Sequence, residues 1–129
     1  MKLKTTLILL IVAILTLTCV LTACNLFKSV SADDAKTNLD NAGYEVKVMT
    51  AEQYLASDGH DEFIFESELD KYIYAKKGDD EIYLFFFTSI KNASNNYDRM
   101  SSNFNDLKSG QSNELVYFGT KQAVKDAGL

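Results

Sequence analysis

Residues 81–88 are the strongest constraint on how this chain can fold. Side chains along an extended strand alternate between faces, so this run places Ile82, Leu84 and Phe86 on one side and Tyr83, Phe85 and Phe87 on the other. A strand with large apolar groups on both faces must lie inside a sheet and be covered twice, by its own helices or on one side by a partner. Residues 69–77 before it are rich in Tyr and Ile, and Gly78-Asp79-Asp80 between the two runs is turn chemistry. The pair therefore predicts a hairpin.

The other elements follow from shorter patterns. Ser31 followed by Asp34 marks a helix start, and Ala35, Leu39 and Ala42 recur at helical spacing before Gly43, a terminating residue. Residues 44–49 alternate Tyr44, Val46 and Val48 with Glu45 and Lys47, the period of a half-buried strand, and Thr50 predicts the cap of a short helix over 51–56. Residues 57–62 read as a polar loop, whereas 63–68 fit either a short strand or a turn of helix. Ser89 then caps the longest expected helix, in which Ile90, Ala93, Tyr97, Met100, Phe104 and Leu107 recur every three or four residues. A loop over 109–113, a short strand over 114–118 and a last helix capped by Thr120 and ending at Gly128 complete the chain. The order predicts an α+β fold: an antiparallel four-stranded sheet with helices mainly on one face, a ferredoxin-like βαββαβ plait with a helix added at each end.

The first 24 residues carry a different signal. Lys2 and Lys4 form a positive start, residues 7–20 are apolar apart from Thr16, Thr18 and Cys19, and Leu21-Thr22-Ala23-Cys24 closes the run with small side chains before a cysteine. This is the layout of a secretory signal peptide, and its last four residues resemble the lipobox of bacterial lipoproteins. Beyond this segment the chain resembles small lipoproteins of low-GC Gram-positive bacteria and their wall-less relatives in a general way. The resemblance implies cleavage between Ala23 and Cys24 and a diacylglyceryl thioether on the Cys24 thiol. Cys19 offers a poorer site, because Thr18 stands where Ala or Gly is expected. The competing reading is an uncleaved membrane helix over residues 5–23, close to the roughly 20 residues that span a bilayer core. Both readings place the remaining chain on the outer side, since the two lysines hold the N-terminus in the cytoplasm. Two acyl chains anchor stably where one does not.

The expected division is thus a signal peptide over 1–23, a lipidated tether over 24–31 and one α+β domain over 32–129. Cleavage leaves 106 of the 129 residues, enough for one core. With Cys19 removed and Cys24 acylated, no thiol remains for a disulfide, so stability must come from packing. Losing Lys2 and Lys4 leaves 11 basic against 18 acidic side chains, a formal charge of −7. Such a net charge disfavours nucleic acid and anionic headgroups, whose binding depends on Lys and Arg.

Few residues suggest chemistry. Asp58, His60, Asp61 and Glu62 form a weak candidate metal cluster, oxygen-rich with one imidazole but without the order of a calcium loop. Nucleophilic catalysis needs a base beside the nucleophile, and His60 is the only imidazole, so no enzyme is expected and no cofactor is implied. Asp79, Asp80 and Glu81 lie at a hairpin tip, where open water gives no means of raising one carboxyl pKa, and they read as turn residues. Gly119-Thr120 precedes a helix but reads as a strand-to-helix turn.

Tyr72, Tyr74, Tyr83, Phe85 and Phe87 are the remaining clue, read either as a binding face or as plain core. The expectation is a lipid-anchored extracytoplasmic domain that associates without catalysis with a membrane-proximal protein or envelope component. The alternative is a receptor for a small ligand or cation, accessory to a transporter, which requires a pocket lined by Tyr and carboxylates.

Overall fold

A computed structural model of the protein describes residues 29–60 and 64–129. Ala23, Cys24, Asp61 and Glu62 lie outside the described residues. The element order is α1 (Ala32–Asn41), β1 (Glu45–Thr50), α2 (Ala51–Leu55), β2 (Leu69–Lys77), β3 (Asp80–Phe87), α3 (Ile90–Met100), a 3-10 turn (Ser101–Phe104), β4 (Lys108–Ser112), β5 (Leu115–Gly119) and α4 (Lys121–Asp126). The strands form one antiparallel sheet in the order β1-β2-β3-β5-β4.

The expected hairpin is β2–β3, in register from Lys77 opposite Asp80 through Tyr74 opposite Tyr83 to Tyr72 opposite Phe85. Gly78, at φ +60, takes the first of its two turn positions, where a type II′ turn requires a positive φ. As its sequence demands, β3 is the central strand, and Ile82, Leu84, Phe85, Phe86 and Phe87 are all buried.

Two cores follow from that strand. Ile82 and Leu84, with Ile73 and Ala75, pack against Ala35 and Leu39 of α1 and Ala123 and Val124 of α4. On the other face Phe85 and Phe87, with Tyr72, Val116 and Phe118, pack against Tyr54 of α2 and Ala93 and Met100 of α3. The helices therefore cover both faces rather than mainly one, because each apolar side of β3 has to be removed from water.

The four-stranded plait is corrected too. A plait consists of split βαβ units, in which a strand lies between the two that flank each helix. The second half of the chain follows this rule: β3 and β4 flank α3, and β5 lies between them. In the first half β1 and β2 flank α2 and pair directly, leaving β1 at the edge. Its composition suits an edge, with Glu45, Lys47 and Val48 exposed.

The fifth strand is β4, where a loop was expected over 109–113. Lys108-Ser109-Gly110-Gln111-Ser112 has no apolar alternation and pairs with β5 as the other edge, joined by a two-residue turn in which Asn113 takes φ +52. Only the pairing shows that it is a strand. The long helix also ends sooner than expected. Ser101 Oγ and Ser102 Oγ donate to the carbonyls of Asp98 and Arg99, and after Met100 the chain tightens into a 3-10 turn.

The helix ends are those the sequence marks. Ser31 Oγ accepts from Asp34 N, Ser89 Oγ from Asn92 N and Thr120 Oγ1 from Ala123 N, while Thr50 and Gln53 cap each other reciprocally. At the far ends α1 and α4 close in the same way. Gly43 N donates to Asp40 O and Tyr44 N to Leu39 O, as Gly128 N does to Lys125 O and Leu129 N to Val124 O. Both glycines have a positive φ, which completes two Schellman motifs.

Candidate functional site

On the α2–α3 face the antiparallel register lines up rings. Tyr54 lies 4.5 Å from Tyr72, Tyr72 5.0 Å from Phe85, and Phe85 6.3 Å from Phe118, centroid to centroid. The row continues through Phe104, 4.3 Å from Phe118, to Tyr83 at 5.1 Å and Tyr74 at a further 5.0 Å. Of the five aromatics read either as a binding face or as plain core, Tyr72, Phe85 and Phe87 are core. Only Tyr74 and Tyr83 remain half-buried, at the open end of the row.

Glu81 joins them there. It lies two residues before Tyr83 on the same face of β3, and Tyr74 stands opposite Tyr83 on β2, so three side chains converge by strand geometry alone. Both phenols donate to Oε2 of Glu81, Tyr74 at 3.3 Å and Tyr83 at 3.2 Å. Among the described residues nothing donates to its Oε1. Burial, then the Glu81 charge and hydrogen bond, push the Tyr83 phenol up to about 12. Tyr74 is raised by burial, the Glu81 charge and hydrogen bond, and Glu45. A site that resists a second negative charge in this way attracts a positive one.

A shallow groove of about 320 Å³ opens beside this cluster, lined by Glu81, Tyr83, Phe104, Asp106, Leu107 and the intervening Asn103 and Asn105. Phe104 and Leu107 reach it because the 3-10 turn and the turn after it, closed by Leu107 N to Phe104 O, fold back over the sheet. Among the described residues two carboxylates and no cation line the groove. Lys47 stands opposite Tyr74 on β1, outside it.

The sequence missed Glu81 and Asp106 as partners of this site. Glu81 looked like part of a turn, and only the alternation Glu81, Tyr83, Phe85 hinted at its face. Asp80, its neighbour, points the other way and accepts from Thr120 Oγ1 at 2.8 Å.

Of the four weak metal candidates, Asp58 and His60 fall among the described residues. Asp58 is exposed, and the His60 ring has Nδ1 2.9 Å from the carbonyl of Ser57 and stands edge-on to Tyr54. Among the described residues no group of three or more His, Cys, Asp or Glu is placed to hold a metal ion, and no helix is long and apolar enough to cross a membrane. Gly119-Thr120 is a strand-to-helix turn, with Thr120 bonded to both α4 and Asp80. Comparison of the chain with protein-family models, with curated proteins and with solved structures finds no match.

Proposed function

We propose that the protein is a lipid-anchored extracytoplasmic domain, held by an acylated Cys24, that associates without catalysis with a membrane-proximal protein or envelope component. The contact is the groove at Tyr74, Tyr83, Glu81 and Asp106, and the group it receives is cationic. The observation that carries this reading is the convergence of two half-exposed phenols on one carboxylate at the rim of an acidic groove. Ring faces and carboxylates together recognise ammonium and guanidinium groups, at about 0.5 to 2 kcal/mol for each cation–π contact.

A second reading, a receptor for a small cationic ligand, is favoured by the groove's volume, which falls at the lower end of the roughly 300 to 1,000 Å³ of small-molecule sites. Photocrosslinking in living cells from a probe at Asn105 of the full chain tests both. Under the protein-association reading a discrete adduct forms, and the Glu81→Gln, Tyr83→Phe variant loses it while keeping its circular dichroism. An adduct indifferent to those substitutions would refute the groove as the contact. No adduct, together with saturable heat on titration with methylguanidinium, would select the small-ligand reading.

A further inference from the structure

The formal charge of this chain is negative, yet its positive side chains are not evenly spread. A groove of about 690 Å³ on the α1–α4 side of the sheet is lined by Lys108 from the start of β4 and by Lys121 and Lys125 from α4, with Asp80, Gln122, Val124 and Leu129. Lys121 and Lys125 are one helical turn apart, and Lys108 reaches the same place because it pairs with Gly119, two residues before Lys121. Among the described residues none of the three lysines has a carboxylate within ion-pair distance; the pair that forms is Lys36 with Asp40, elsewhere on α1.

The nearby acids are already engaged. Asp80 Oδ1 accepts from Thr120 Oγ1, and the two oxygens of Asp126 accept from Tyr44 and Gln122. Three lysines that have no ion-pair partner among the described residues thus surround one concavity and give an acidic protein a local positive potential.

The position of the groove selects the anion. Val30 packs into the α1–α4 core together with Leu129, and its Cγ2 lies 3.8 Å from where a Cβ on Gly128 would stand. Leu129 also lines the lysine groove. The described domain is therefore entered beside the groove, and five residues separate Val30 from Cys24, a reach of at most about 22 Å. We propose that this groove binds the phosphate of an anionic phospholipid headgroup in the membrane that carries the chain, so that the acidic aromatic groove on the opposite face of the sheet is turned outward. The choice of lipid as the phosphate source rests on the acylated Cys24; the affinity of the groove for phosphate does not.

The test uses the full chain in phosphatidylcholine nanodiscs, with the fraction of phosphatidylglycerol raised stepwise and the amide signals of Lys108, Lys121 and Lys125 followed by nuclear magnetic resonance. Saturable shifts with phosphatidylglycerol are expected. Near an anionic surface each lysine contributes about fivefold in affinity, so the Lys108→Gln, Lys121→Gln, Lys125→Gln variant should bind on the order of a hundredfold more weakly, read at Gln122 and Val124. Absence of shifts, or shifts undiminished in the variant, overturns the proposal. Inorganic phosphate added to discs of phosphatidylcholine alone and binding as tightly would uphold the phosphate chemistry and overturn the lipid as its source. The mass of Cys24 in the same sample reads the anchor separately: an unmodified thiol with the phosphatidylglycerol response intact would remove the anchor and leave the groove.

Discussion

Among the described residues, Asn96 is the polar side chain that is completely enclosed, on the α2–α3 side of the sheet. Its Nδ2 donates to Asn92 O at 2.8 Å and to Glu68 Oε2 at 3.1 Å, which ties α3 to the residue before β2, while its Oδ1 has no partner among the described residues. The amide is used here because a neutral donor can face Glu68 without a second charge. An Asn96→Asp substitution would bury a carboxylate beside another, costing about 3 kcal/mol near neutral pH. The introduced group would have its folded pKa raised by burial and by Glu68, so the neutral acid is the form the fold tolerates. The loss should then be small below about pH 4 and grow as pH rises through the raised value. Urea unfolding of both proteins across that range checks it, and an equal loss at acid and neutral pH would contradict the assignment. Nothing in the pattern around Asn96 marked it, since it falls between Ala93 and Tyr97 on a helix that otherwise reads as amphipathic.

Among the elements, α2 is the least self-supporting. Five residues are too few for a stable isolated helix, and it is held by the reciprocal Thr50–Gln53 cap and by Tyr54, which sets its ring on Tyr72 and Phe85. Thr50→Ala should cost about 0.5 to 2 kcal/mol. Because the loss is local, amide exchange should quicken first in α2, leaving β2 and β3 protected. Uniform loss of protection would show that α2 and the sheet unfold as one unit. The cap was legible from Thr50 alone, and so were the strand over 69–77 and the glycine ends of α1 and α4, since each depends on neighbours within a few residues. The strand at 108–112 was not, because an edge strand needs no apolar face and Lys-Ser-Gly-Gln-Ser acquires its conformation from β5.

At the scale of the whole molecule, tyrosine ionisation links the two cores to pH. Burial and the hydrogen bond to Asp126 push Tyr44, on the α1–α4 side, up to about 12, matching Tyr83 on the other side. Tyr72 and Tyr74 are raised as well, chiefly by burial. Each group favours the fold in its neutral form. Its contribution is complete below the unfolded value of about 10 and is lost as pH rises through the higher folded value. Unfolding midpoints should stay level from about pH 8 to 10 and fall steeply toward about 12, with phenolate absorbance rising in step with unfolding. Early, non-cooperative ionisation of all the tyrosines would place these rings at the surface.

The alternation in residues 81–88 was enough to require a central strand covered on both faces, by helices or on one side by a partner, because apolar area on both faces has to leave water. It did not say which helices would supply those layers, or that β1 would pair with β2 instead of lying inside a plait, since competing strand orders bury nearly the same side chains. Site formation was decided at the same level. Glu81 meets Tyr74 through the hairpin register, Asp106 meets Glu81 through the 3-10 turn, and Lys108 meets Lys121 and Lys125 through the pairing of β4 with β5. Charge and polarity are read residue by residue along the chain, but a site is a sum over neighbours in space, and those neighbours are chosen by which strands pair.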